Sequence, residues 1–502
     1  MTWQQYHEAT KHQLGSVRGH VLDWASMPDP FRRYTGVPVL DLPADPPSPE
    51  ISALDVLLGN SGTTSVVDGP HFLSQILYYS ASISACKRVP SSGYEYALRV
   101  NPSSGNLHPT EFHFITHGLR GWPDGAYHYD PSRHMAEQRG CGAFKMELAD
   151  GPAPIVFVLT SIVWREAWKY GARAYRYCLH DIGHAWRALA FSAAAVGCFS
   201  FAAGQFLDDD LATLLHLNED ESPMLIVSVR GKSIPVRKPN TGKTVWFGGH
   251  ANQLSTQTIA YPLLDSIHSA TKNNRTDSGS SSVRGSPMPD PVRMKLPPRA
   301  SSTRIFGEVA RTRRSALDFL GGEHSMSLAQ LSTILVVGCR PLSADFGAGR
   351  FIQLFLYVHR VDGLSPGVYK LLPEFAGLEE AKHGDQRLIS AALSLGQNLA
   401  GNACVCFSMI GDLKRATDHY GDRGYRYVHF EAGAIGHAFY LAAESLGLGA
   451  TGIGAFYDDE VNQYLNVTAA DGQVVYHFAI GYPVPDPRIS GLGTKITARG
   501  GT

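Results

Sequence analysis

Apolar positions along the chain recur in one order, and that order runs twice. In the first pass a helical stretch from His71 (HFLSQILYYSASI) precedes a loop rich in Pro, Ser and Gly. Apolar strands follow from Glu111 (EFHFIT), Gly125 (GAYHY) and Pro154 (PIVFVLTSI). A long Ala-rich helix is predicted near Tyr175–Val196. Small residues on every face predict that it is buried where two copies meet. A Gly-rich turn, a short acidic helix and a closing strand from Pro223 (PMLIVSVRG) end the pass. The second pass has a helix from Ser327 (SLAQLSTILVVG), then strands from Ile352 (IQLFLYVHR), Gly367 (GVYKL) and Ala403 (ACVCFSMIG). A long helix near Tyr425–Leu446 and a strand from Val474 complete it. Strands among helices without strict βαβ alternation predict an α+β sandwich.

The passes are related in sequence as well as in order. The segment from Tyr175 aligns without a gap on that from Tyr425, an offset of 425 − 175 = 250. Asp181 meets Glu431, Gly183 meets Gly433, Gly204 meets Gly454, and Asp208 and Asp209 meet Asp458 and Asp459. EFHFIT from Glu111 aligns with QLFLYV from Gln353 at 353 − 111 = 242. A period this long is a duplicated domain and not a solenoid unit. The predicted organisation is an extended N-terminal arm (1–50), a first domain (51–240), a linker (241–300) and a second domain (301–502). The Ser-, Pro- and Arg-rich part of the linker, about 272–300, is too polar to bury and is expected to be flexible. Each copy would offer the other the face that a homodimer offers its mate, so a monomer of the chain suffices as an intramolecular pseudo-dimer.

Composition narrows the function classes. Net charge is −1 and 44% of residues are hydrophobic. Neither nucleic acid nor an acidic membrane is called for. Seven Cys without a CxxC pair read as reduced core thiols. With no apparent signal peptide and no apolar run long enough to span a bilayer, the expectation is a cytoplasmic protein.

Two stretches carry candidate chemistry. Arg311-Thr-Arg-Arg-Ser315 is predicted to open a helix, where guanidinium groups, a hydroxyl and free backbone N–H groups suit a phosphate monoester. A solvated basic run is the plain alternative. Asn101-Pro-Ser-Ser-Gly-Asn-Leu-His-Pro-Thr110 is a loop whose Ser103, Ser104 and Asn106 offer hydrogen bonds to a polar ligand, or make an ordinary turn. His180 and His184 stand four residues apart, as in zinc-binding helices. Their counterparts Phe430 and Ala434 are not ligands and no third ligand is evident, so no metal is predicted.

These stretches together resemble the nitroreductase superfamily. Pro102–Asn106 is similar to its flavin-contacting loop, and Arg313-Arg-Ser315 to its RRSxR phosphate element. Glu431, Gly433 and the Gly452–Phe456 segment resemble its central helix and Gly turn. The NPSSGNLHPTE loop and the YRY-led helix resemble the SagB/ThcOx-type dehydrogenase branch. The resemblance covers roughly 51–240 and 301–490 and implies two tandem nitroreductase-like sandwich domains with FMN between them. It implies a flavin site made of Arg313, Arg314 and Ser315 with Pro102, Ser103, Ser104 and Asn106. Gly452 and Gly454 would lie against the ring, assisted by Arg99 and Lys495 or Arg499. Leu317 replaces the second basic residue of the element. In the mirror position Asn60–Ser65 has no Arg, and Pro341–Phe346, with Asp345, replaces the seryl loop, so one competent site per chain is expected.

The implied function is an FMN-dependent oxidoreductase that transfers a hydride between flavin and a small organic substrate. That covers azoline-type dehydrogenation and nitro or quinone reduction with NAD(P)H as partner. The alternatives are a non-catalytic flavin-binding pseudo-dimer and an enzyme that breaks the flavin down. Tyr175, Tyr177, Tyr425, Tyr427, His108 and His184 are the acid–base candidates.

Overall fold

The computed structural model describes residues 1–15, 21–146, 148, 150–240, 242–273, 294–347, 350–375 and 377–491. Lys495, Arg499 and most of the expected flexible linker lie outside them. Each copy is built on an antiparallel sheet, and the two sheets share one strand order. In the first copy the order is Met135–Cys141, Gly125–Asp130, Thr110–Thr116, Ile155–Ser161, Ser222–Arg230, Phe199–Ala203. In the second it is Gly377–His383, Gly367–Leu372, Ile352–Val358, Val405–Gly411, Gln473–Gly481, Gly449–Ile453. The register repeats too: Phe114 pairs Phe157 where Leu356 pairs Phe407.

The central strands are buried along their whole length, because the helices that follow cover their faces. The two long helices, Ala174–Ala195 and Gly424–Ser445, cross at the centre of one core shared by both copies. They approach through paired glycines. A Cβ on Gly183 would stand 2.2 Å from the Phe430 carbonyl oxygen, and one on Gly433 would stand 2.2 Å from that of His180. The small residues seen in the sequence are therefore an interhelical seam.

The N-terminal arm corrects an expectation: it opens with a helix, Trp3–Ala9, capped reciprocally by Thr2 and Gln5. Trp3 stacks on Tyr425, and the Tyr6 hydroxyl donates to the Ala172 carbonyl at 2.7 Å. A second helix of this kind, Pro262–Thr271, lies within the segment expected as linker. His7-Glu-Ala-Thr-Lys11 and His268-Ser-Ala-Thr-Lys272 match at 268 − 7 = 261, so the duplication includes this element. Lys11 pairs with Asp459 and Lys272 with Asp209 in the same way. Strands Val245–Trp246 and His250–Ala251 bind other parts of that segment to Gly140–Cys141 and Tyr34–Thr35.

A hairpin that the hydrophobic pattern does not announce, Ile83–Arg88 with Glu95–Arg99, stands beside the first sheet. Ile489–Gly491, at the far end of the second copy, adds a third strand to it, with Lys87 paired to Asp486 at 2.8 Å.

Candidate functional site

Both copies wall a cleft of about 310 Å³. From the first come the hairpin, the loop Asn101–His108, and Asp181 and His184 of the long helix. From the second come Arg313–Ser315, Tyr440, Gly452 in strand Gly449–Ile453, Gly454 just after it, and Tyr476. Arg313, Arg314, Ser315, Pro102, Ser103, Ser104, Asn106, Gly452 and Gly454 thus meet in one place, although more than 200 residues separate the groups.

The basic element is not at a helix start. The helix Phe306–Thr312 ends there, and Arg313 is its C-cap in extended backbone. The N-terminal dipole argument fails, since the C-terminal end of a helix favours cations instead. The positive charge comes from side chains. Arg313 donates to the Val100 and Arg99 carbonyls at 3.0 and 3.1 Å, and its Nη1 is buried with no partner. Arg314 donates to Ser84 Oγ and to the carbonyls of Ser84, Arg311 and Arg313. Burial and the charges of Arg313 and Arg311 hold Arg314 down to about 10. Among the described residues none of Arg311, Arg313 and Arg314 has a carboxylate in ion-pair contact. A half-buried cationic cluster of this kind is costly without a counter-charge and so favours an anionic ligand.

The facing loop is pre-formed. Gly105, Asn106 and His108 all have positive φ, at 56°, 61° and 49°. The turn is held by His108 N–H to Ser103 Oγ (2.8 Å) and Asn106 Nδ2 to the Ala97 carbonyl (2.9 Å). Ser104 N–H donates to the Asp181 carboxylate at 3.2 Å.

Opposite the loop lies a floor without side chains. A Cβ on Gly452 would stand 1.9 Å from Tyr476 Oη, and one on Gly454 would stand 2.5 Å from the Tyr177 ring. The Gly452 N–H donates to Tyr440 Oη at 2.9 Å, and that hydroxyl also meets Ser315 Oγ at 2.9 Å. Tyr476 Oη lies 3.1 Å from His184 Nε2, and His180 stacks on the Tyr476 ring.

Several sequence candidates are placed elsewhere. Tyr175 Oη bonds Thr271 and Arg426; Tyr425 Oη meets His7 Nδ1 at 3.3 Å; Tyr427 stacks on Phe346 with centroids 4.2 Å apart. None of the three lines the cleft. Tyr177 supports it from behind, donating to the Gly454 carbonyl at 3.1 Å. The Arg99 guanidinium turns away to the Pro30 carbonyl and the Phe31 ring, so only its backbone serves the site. His180 packs on the Tyr476 ring while His184 lines the cleft, and among the described residues no group of three or more His, Cys, Asp or Glu side chains could hold a metal ion.

Sequence reasoning missed Lys87, Tyr96, Tyr440 and Tyr476 as cleft residues. It also missed a buried carboxylate pair. Burial and the Asp181 charge push the Glu166 carboxyl well up, and burial pushes Asp181 up against the hydrogen bonds from Ser103 and Ser104. The pair therefore keeps a proton under conditions where exposed carboxyls have lost theirs. The neighbouring histidines do the reverse. Burial, then Arg99, Arg165 and Arg313, drive His108 well down, and burial with Arg313 takes His184 to about 3. Both are neutral imidazoles at ordinary pH.

Behind the loop, sharing Tyr96, Asn106 and His108 with the cleft, is a chamber of about 300 Å³ whose other walls include Trp24, Phe31, Tyr94 and Trp168.

The mirror position is filled. Asp345 accepts from the Gly204 and Gln205 N–H groups at 2.8 and 3.1 Å, and the Phe346 ring leans on Gly204.

Among the described residues no helix is long and apolar enough to cross a membrane. A family model described as the nitroreductase family matches residues 95–232 and 311–482. A Methanocaldococcus jannaschii protein assigned to the nitroreductases is 36% identical over 121 residues, which is 24% of this chain and 61% of that protein. The chain thus spans about three-fifths of that relative's length. A crystal structure from Anabaena variabilis, also assigned as a nitroreductase, superposes with a TM-score of 0.77 at 26% identity. The match covers 96% of this chain and 99% of that one. One from Ralstonia eutropha has a TM-score of 0.31 at 20% identity and covers 42% of this chain and 95% of its own.

Proposed function

The chain belongs to the nitroreductase family, and from that premise we propose that it is an FMN-dependent oxidoreductase with one flavin site per chain, acting on a small organic molecule. The observation that carries this reading is the juxtaposition of Arg313, with its unpartnered buried Nη1, and a glycine floor that admits no Cβ. The cation suits the phosphate of FMN and the floor suits a flat ring. Arg313, Arg314 and Ser315 would hold the phosphate end; Leu317, which is 51% exposed, adds no cation, and Lys87, which lines the same cleft, is already paired with Asp486. Ser103, Ser104 and Asn106 would hold the opposite edge.

FMN, when bound, supplies two-electron redox chemistry. The chain's own residues orient, exclude water and manage protons. Tyr440 fixes the Gly452 amide and Ser315 together. Tyr177 fixes the Gly454 carbonyl. The neutral His108 and His184 accept or donate single hydrogen bonds without adding charge. Asp181, facing the cleft and backed by Glu166, is the group whose proton is available near neutral pH. The aromatic chamber beside Tyr96 supports a substrate with a flat, apolar ring. Azoline dehydrogenation, as in the SagB/ThcOx-type branch, and reduction of nitro groups or quinones by NAD(P)H both fit these features.

The test is the flavin itself. Purified chain should carry FMN at one per chain, and Arg313→Ala with Arg314→Ala should abolish retention, each lost charge-assisted bond weakening binding by about 1.5–3 kcal/mol. Protein that neither retains nor rebinds FMN would overturn the proposal. Anaerobic bleaching by NAD(P)H marks a reductase; bleaching by an azoline and not by NAD(P)H marks a dehydrogenase.

A further inference from the structure

Across the pseudo-two-fold axis from the flavin cleft, the copies leave a second cleft of about 330 Å³. One wall corresponds to the first: Ala190 stands where Tyr440 of the flavin cleft stands (440 − 250 = 190). The ring end is closed. Trp186 and Phe346 meet with centroids 5.6 Å apart, and Phe346 is stacked on Tyr427. The end that corresponds to the phosphate end of the flavin cleft stays open.

That open end holds two guanidinium groups, although the local sequence Asn60–Ser65 supplies none. Arg187 comes from the long helix of the first copy, and Arg340 from the loop after helix Leu328–Gly338 of the second. Arg187 lies over the Phe191 ring at 4.2 Å, and its Nε is buried with no hydrogen-bond partner. The Arg340 guanidinium rests on Gly59, where a Cβ would stand 2.0 Å from Nη2. A third arginine of the cleft, Arg230, is already paired with Asp150. Among the described residues, neither Arg187 nor Arg340 has a carboxylate in ion-pair contact. Burial and the Arg340 charge hold Arg187 down to about 10. Two like charges aimed at one cavity are unfavourable until an anion joins them.

We propose that the Arg187–Arg340 cleft is a second ligand site, which takes a small phosphate-bearing molecule and excludes flavin. Guanidinium forks match the geometry of phosphate oxygens and bind them in pairs. Phe346 and Trp186 fill the space a fused ring system needs, so the ligand is a phosphate head with a small body. One arginine comes from each copy, so the occupied site ties the two halves together. Occupancy raises the unfolding temperature by mass action.

The experiment is calorimetric titration of the flavin-loaded full chain in phosphate-free, low-salt buffer. One probe is orthophosphate and the other is glycerol 3-phosphate. Saturable binding is expected, tighter for the ester if the body of the ligand is recognised and equal for both if the phosphate alone is. Arg187→Gln and Arg340→Gln should each weaken binding about tenfold or more with flavin content unchanged. Arg340 is exposed, so its replacement leaves the fold intact and its titration alone decides the matter if Arg187→Gln fails to fold. Arg314→Gln reports any entry of the probe into the flavin cleft. The proposal is overturned if neither probe saturates, if Arg340→Gln binds as the parent does, or if binding follows Arg314 instead.

Discussion

Arg176 of the first copy and Asp458 of the second form a fully buried ion pair, Nη1 to Oδ1, at 2.7 Å. Arg173 adds a second bond to the same carboxylate at 2.9 Å. The pair recurs by symmetry, with Arg426 and Arg423 on Asp208 at 2.7 and 2.6 Å. Each aspartate also accepts a backbone N–H, from His12 and Asn273 respectively. Removing either carboxylate strands two buried cations, so Asp458→Ala and Asp208→Ala should each destabilise the chain by about 3–5 kcal/mol in urea titrations. The two variants should differ in flavin content. Arg173 and Tyr177 touch the Gly454 carbonyl, so Asp458→Ala should also loosen flavin, whereas Asp208→Ala should leave it in place.

The glycine seam gives a second prediction. Gly183→Ala puts a methyl group 2.2 Å from a backbone oxygen, which the helices relieve only by moving apart. A loss of about 1–3 kcal/mol is expected, similar for Gly433→Ala, measured by thermal or urea unfolding.

Glu166 sets a pH dependence. Its folded pKa is raised by burial and by Asp181. Above the ordinary carboxyl range the folded state therefore holds a proton that the unfolded state has released. Stability is full at low pH and falls as pH climbs from about 4.5 to the folded value. Glu166→Gln should remove that slope, which is up to about 1.4 kcal/mol per pH unit, so the variant gains on the parent as pH rises. Equal melting curves for the two at pH 5 and pH 8 would show that the carboxyl is not protonated in the fold.

His128 acts in the same direction at higher pH, through its partners and against its burial. Burial lowers its pKa, yet hydrogen bonds to Glu111 and Glu137 at 3.2 and 2.9 Å win and raise it to about 9. The stabilisation is complete below about 6.5 and is lost as pH rises through the folded value near 9. His128→Gln should therefore destabilise at pH 7 and lose less than the parent between pH 8 and pH 10.

Much of this was legible because its signals are local. The long helices and the short acidic helices that begin at Asp208 and Asp458 are written in short segments that repeat at 250. The Gly-rich stretch between them reads as a turn and folds instead as the edge strands Phe199–Ala203 and Gly449–Ile453. The tyrosines were misread. Tyr175 and Tyr425 occur in both copies, which is what a symmetric contact requires and what a one-sided pocket does not. The Arg311–Ser315 run was placed at the wrong helix end because guanidinium charge alone does not say which terminus it serves. The hairpin carrying Lys87 and Tyr96 gave no warning: its third strand lies about 400 residues further along the chain. The helix repeat at His7 and His268 escaped because its offset is 261 and its match is five residues long.

Phe346 in the mirror slot has a consequence for how such a molecule changes over time. Identical subunits must carry every substitution twice, so a bulky ring that seals one pocket would seal both and end the activity. Joining the halves in one chain lifts that constraint, and one lobe is free to accept a plug while the other keeps its opening.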